Sequence, residues 1–292
     1  MAKNKILHFL TGALLGIGFS VSCQSKSESG SEVSIAALTQ LLQGGGSGTT
    51  SNCRSFLPKE SGNIYVGDQI VSAPANSGIG FKDSYCSANG VRGIDLFDGS
   101  LDVYTLDPSG VGALLVLGWS GKKVLPGPGI DFMVYENPFF IGVQNNTNPF
   151  NSVFLEPIVV EVGNDLTNWC GWNPTYTNSN PSVFSNDPSV WARFAGITPF
   201  VLNQESNPMT VSAVYNPDVV HGGGGGDGFD LAEPNFGATG SGCTGTLKND
   251  LQTNGFLYIK LVPAITVQPS LPIPAGNGTP DIDGVIARNL SP

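Results

Sequence analysis

The chain has 292 residues, among them 39 glycines and 21 prolines, with 40% hydrophobic and only 12% charged residues and a formal net charge of −10. This content is too apolar for a disordered chain and too rich in Gly and Pro for a helical one, so many short strands joined by long polar loops are expected. An acidic balance of this size gives no electrostatic footprint for nucleic acid or for anionic lipid headgroups.

The chain opens on Lys3 and Lys5, then an apolar run from Ile6 to Val21, then Cys23 and a polar stretch. The run contains Gly12, Gly16 and Gly18 and is short of the roughly 20 residues that a membrane-spanning helix needs. A small-residue end, Ser20 and Ser22, completes the layout of a secretory signal over 1–22. Ser20-Val21-Ser22-Cys23 resembles the bacterial lipobox, although Ser20 stands where Leu is usual; spirochaete (leptospiral-type) surface lipoproteins carry such relaxed forms. The resemblance implies acyl chains on Cys23, export, and an anchor in the bacterial outer membrane, at the cell surface or its periplasmic face. Cleavage would take the formal charge from −10 to −12, because Lys3 and Lys5 go and no acid does. Membrane contact is then expected through lipid alone, held by two or more chains where one is marginal.

Residues 23–52 read as a flexible spacer, ending in Gly44-Gly45-Gly46-Ser47-Gly48, with a short helix expected over Ser34 to Leu42. The remainder, 53–292, is long enough for a single β domain with a substantial core.

Of the 5 cysteines, Cys23 is assigned to lipid. Cys53, Cys86, Cys170 and Cys243 then admit three pairings in an oxidising compartment, of which Cys53–Cys86 and Cys170–Cys243 join sequence neighbours and are favoured. No C-x-x-C occurs and His221 is the one histidine after the signal, which argues against zinc and thiol redox chemistry.

Strands are expected at Leu101 to Leu106, Ala113 to Trp119, Asp131 to Tyr135, Phe154 to Val162, Met209 to Val214, Phe256 to Val262 and Gly284 to Arg288. No amphipathic helix is evident after residue 52. The expected fold is all-β, an antiparallel β-sandwich of jelly-roll type with long loops.

The most distinctive stretch runs from Leu117 through Pro126-Gly127-Pro128-Gly129-Ile130-Asp131-Phe132-Met133-Val134-Tyr135-Glu136-Asn137. Further along come Val160-Glu161-Val162 ahead of Trp169, then Ala195-Gly196, Gly226-Asp227-Gly228-Phe229-Asp230-Leu231-Ala232, Leu257 to Val262 and Asp281-Ile282-Asp283-Gly284-Val285. In order, these blocks resemble the "DGPG-x-DF-x-VFEN … FDLAD … DLDAV" β-sandwich of secreted bacterial cell-surface proteins. Leu125 departs from it by replacing the Asp before Pro-Gly, and the Trp172 to Trp191 stretch is more elaborate than the pattern. The resemblance implies a lectin-like or discoidin-like domain without catalytic activity.

Two binding chemistries are written into these loops. Asp131, Glu136, Asp227, Asp230, Asp281 and Asp283 sit beside glycines and are the ligand set for a structural calcium if their loops meet. Asp also caps turns through its own backbone, which accounts for the same residues without an ion. Trp119, Trp169, Trp172 and Trp191 are the residues for a sugar platform, although a sandwich core claims large aromatics too. Enzyme motifs are lacking: there is no G-x-S-x-G or H-E-x-x-H, and only Glu136 and Glu161 suggest a glycosidase pair. The expectation is a non-catalytic, lipid-anchored binding protein whose partner is a glycan or a host-matrix protein. A structural envelope protein and a polysaccharide hydrolase are the alternatives.

Overall fold

A computed structural model describes residues 53–56, 62–74, 80–108, 113–142 and 151–292, all within one compact unit. The signal, Cys23, the spacer and the helix expected at 34–42 lie outside the described residues. The chain is all-β in class, with short strands. In order they are β1 (Tyr65–Val66), β2 (Gln69–Ser72), β3 (Tyr104–Thr105), β4 (Leu115–Gly118) and β5 (Phe132–Tyr135). Then follow β6 (Phe139–Phe140), β7 (Val153–Phe154), β8 (Ile158–Gly163), β9 (Cys170–Gly171) and β10 (Thr175–Tyr176). The last are β11 (Trp191–Ala192), β12 (Asp227–Phe229), β13 (Tyr258–Pro263), β14 (Asp281–Ile282) and β15 (Gly284–Ala287).

Two antiparallel sheets build the core, one ordered β2-β4-β13-β8-β9 and the other β1-β15-β5-β12. Their facing side chains meet in one cluster. Leu115 and Leu117 of β4, Val160 and Val162 of β8, and Ile259 and Leu261 of β13 come from the first sheet. Phe132 and Val134 of β5 and Val285 and Ala287 of β15 come from the second. Period-two alternation thus places every second residue in the shared core. The intervening residues are buried as well: Met133, Tyr135 and Ile286 pack outward under Phe200, Leu202, Val214 and Tyr215. Val159 does the same beneath Trp191, Phe194 and Ile197. Both faces are therefore covered, which is why β5 reads as an unbroken apolar run and β8 as one interrupted only by Glu161.

Two expectations about local structure are overturned. Residues expected as a strand at Met209 to Val214 form a helical turn instead, α1 (Val211–Val214), because the Thr210 side chain accepts from the Ala213 N–H at its start. A ten-residue helix, α2 (Gly245–Asn254), stands where none was expected, capped by Thr244, whose hydroxyl accepts from the Leu247 N–H. It buries only Leu251, with Leu247 packed at the core's margin, so no apolar stripe marks it in the sequence. The expected pairing of cysteines is present: Cys53–Cys86 closes a separation of 33 residues and Cys170–Cys243 one of 73.

Candidate binding groove and the carboxyls beneath its floor

The elaborate stretch before Trp191 builds one wall of a cavity. Asp187 caps a short turn, Pro188–Val190, by accepting from the Ser189 N–H at 2.9 Å. The chain then enters β11, which pairs with β10 and lays Trp191 against Tyr176, ring centroids 4.2 Å apart. Phe194 meets the same indole edge-on at 5.6 Å, and the indole N–H donates to the Ser185 carbonyl at 2.9 Å. Between these aromatics Arg193 adopts φ 65, a left-handed conformation that a long side chain rarely takes. Its guanidinium is held by the Asn173 carbonyl (2.9 Å) and the Thr175 hydroxyl (3.1 Å). Arg193 and Trp191 both line one open cavity of about 480 Å³.

Asp227 on β12 and Glu233 from the loop that follows line the same cavity, as do Pro188 and Pro217. The volume falls in the range of small-molecule sites, as does the mixture of aromatic walls and a few polar groups. One Asp227 oxygen accepts from the Ile197 and Thr198 N–H groups, at 3.0 and 3.4 Å. Burial pushes this carboxyl up to about 6. Glu233 is half-buried and accepts from the Asn235 amide at 3.3 Å.

The floor of the groove is the segment from Gly196 to Thr198, and more carboxyls lie under it. Glu136, just past β5, accepts from the Asp281 N–H at 2.9 Å. Glu156, ahead of β8, accepts from the Thr279 N–H at 3.1 Å and the Thr279 hydroxyl at 3.3 Å. The Asp281 carboxyl in turn bonds the Thr105 hydroxyl of β3. Two glutamates therefore fill, residue by alternate residue, hydrogen-bonding positions along the chain that leads into β14. Burial holds both glutamates well above the usual carboxylate range, helped at Glu136 by the charges of Glu156 and Asp281 and at Glu156 by that of Asp281, and burial raises Asp281 to about 7. The second oxygen of Glu136 has no hydrogen-bond partner and lies beside Gly196.

The six loop acids expected to share a calcium are spread over separate places. Asp131 accepts from the Gly127 and Leu231 N–H groups, at 2.7 and 2.8 Å, and burial raises it to about 6. Asp230 caps its own turn through the Ala232 N–H at 2.7 Å. Asp283 accepts from the Arg92 N–H at 2.8 Å and is pushed by burial up to about 8, close to a buried Arg92–Asp102 ion pair of 2.8 Å. Asp227 lines the groove, Asp131 and Asp230 lie near enough to feel each other's charge, and Glu136 meets Asp281 through the Asp281 N–H. Glu156, which completes their cluster, was not in the expected set. Among the described residues, three ligand atoms fall within 4.8 Å of one another only at Cys53, Cys86 and Asp102, and both sulfurs there belong to the disulfide.

The four tryptophans do not form a platform. Trp119, Trp169, Trp172 and Trp191 are 2%, 4%, 1% and 4% exposed. The Trp119 and Trp172 N–H groups donate to the Tyr65 and Asp230 carbonyls, and Trp172 packs on Phe132, Phe229 and Phe236. Core packing claimed them, and of the four it is Trp191 that lines the groove. The expected glycosidase pair is also separated: Glu161 lies on β8 in an ion pair with Lys260 of β13, whereas Glu136 follows β5 in the other sheet. His221 is exposed and pairs with Asp218 at 2.8 Å. Comparison with protein-family models, with characterised proteins and with solved structures returned no match.

Proposed function

We propose that this chain is a lipid-anchored cell-envelope protein whose β domain, a jelly-roll sandwich, is a non-catalytic binding module with the Trp191–Glu233 groove as its ligand site. The observation that carries the reading is the groove itself. An indole edge, the strained Arg193, and two acids converge on one open cavity beside proline edges. Aromatic surface flanked by fixed donors and acceptors suits a sugar ring, whose faces are apolar and whose rim is hydroxyl. A glycan is therefore the favoured ligand over a matrix protein. Asp227 spends one oxygen on two backbone N–H groups and acts as a rigid acceptor, a positioning role that fits binding better than proton transfer. The address rests on Lys3, Lys5, the apolar run and Cys23. A glycan and matrix-protein array probed with the exported chain tests the ligand class. Retention by glycans, lost in Glu233→Gln and Arg193→Ala, supports the groove. Retention by matrix proteins alone, unaffected by either change, removes it.

A further inference from the structure

We propose that Glu136, Glu156 and Asp281 form a proton-held joint beneath the groove, whose loss of protons at alkaline pH loosens the segment from Gly196 to Thr198 and destabilises the domain. All three carboxyls are buried, at 1%, 3% and 4% exposure, and a buried carboxylate without a counter-charge is costly. Among the described residues the ion pairs join Arg54 and Arg92 to Glu205, Arg92 to Asp102, His221 to Asp218 and Lys260 to Glu161, so none reaches this trio. Their ligand atoms are also spread wider than one ion's shell. Protons are the remaining neutraliser.

The surroundings of the trio, element by element, supply hydrogen bonds and further acids rather than cations. From β3 come Thr105 and, two residues on, the buried Asp107; from the β14 side come Thr279 and Asp281 itself. Next along is Asp283 with the Arg92–Asp102 pair, and across the floor segment is Asp227. Each glutamate uses one oxygen as an acceptor from a backbone N–H, which leaves the other to carry a proton. The floor segment touches this joint directly. The Glu156 N–H donates to the Gly196 carbonyl at 3.2 Å, and a Cβ on Gly196 would stand 3.3 Å from the unpartnered Glu136 oxygen.

The direction with pH follows by linkage. Carboxyls whose folded-state values are raised bind more protons in the folded than in the unfolded state. Their contribution is complete below the unfolded value, about 4, and is lost as pH rises through the folded values, about 7 for Asp281 and higher than usual for both glutamates. Stability should therefore fall between pH 5 and pH 8.5.

Thermal melts of the full chain across that range, wild type beside Glu136→Gln, test the joint. Gln keeps the acceptor for the Asp281 N–H and replaces the protonated oxygen with a permanent donor. The wild type should lose melting temperature towards pH 8.5, and the variant should melt higher than wild type there by roughly 4 °C or more while matching or trailing it at pH 5. Hydrogen-exchange protection of the Ile197 and Thr198 amides should fall with pH in wild type more than in the variant. Glu156→Gln serves as the second variant with the same expectation; Asp131, Asp227 and Asp283, also raised by burial, add to the wild-type loss, so its assignment to the joint rests on the relief by Gln. A wild-type melting temperature that is flat from pH 5 to 8.5 overturns the proposal. So does an alkaline loss that Gln does not relieve, or one that millimolar Ca²⁺ restores and a chelator deepens, since the neutraliser would then be a cation. None of these readouts depends on what the groove binds.

Discussion

Gly196 ties the groove floor to the carboxyl joint, and replacing it by alanine should be far more damaging than a methyl group suggests. Its φ of +76 lies in the left-handed region, where an L side chain costs about 1–2 kcal/mol. The added Cβ would stand 2.2 Å from the Glu156 carbonyl oxygen and 3.1 Å from its carbonyl carbon, both backbone atoms that cannot swing aside. Relief requires the two segments to separate, at the expense of the Glu156 N–H to Gly196 bond (3.2 Å) and of the reciprocal Ile158–Ala195 pair (2.8 and 3.0 Å). At about 1 kcal/mol net for each of the three bonds, added to the conformational cost, the total comes to about 4–5 kcal/mol. Gly222→Ala is the control, because Gly222 has φ +91 but nothing within 4 Å of an added Cβ, so only the conformational cost of about 1–2 kcal/mol applies. Urea unfolding of both variants measures the difference. A Gly196→Ala loss equal to that of Gly222→Ala would refute the claim that this segment is clamped.

Replacing Cys170 and Cys243 by Ser should cost about 4 kcal/mol by the chain-entropy estimate for a separation of 73 residues, and replacing Cys53 and Cys86 slightly less for 33; denaturant midpoints give both, and peptide mapping without reductant checks the pairing. At the other end of the chain, Cys23→Ala should abolish acylation and release the protein from membranes. Mass spectrometry of the mature N-terminus decides the point, and an unmodified Cys23 would remove the anchor.

The sheets were legible because their chemistry is local. Alternating or continuous β-branched runs bounded by Gly and Pro marked β4, β5, β8, β13 and β15 to within a few residues. The cysteine pairs followed from count and order. The groove was not legible, because its lining comes from segments around 188–198, 217, 227–229 and 233 that only the fold brings together. Trp191 was singled out, but nothing in the sequence separated it from the three tryptophans that the core takes. Glu156 was missed although a signal existed: it interrupts the apolar run Val153-Phe154-Leu155 and Ile158, where an acid has no reason to sit unless it is buried with a partner. The acids of the Gly-rich loops were visible, but their hydrogen bonds to backbone N–H groups across 30 to 145 residues of sequence were not.

The central claim is that a displayed β domain binds a glycan through the groove of Trp191, Arg193, Asp227 and Glu233. The direct measurement is glycan-array binding by the exported chain, wild type beside Glu233→Gln, with unfolding curves showing both equally folded. Wild type should be retained selectively, and the variant should respond at least about tenfold more weakly, the equivalent of about 1.4 kcal/mol. Equal binding by both chains, or no retention of wild type on any glycan, would contradict it.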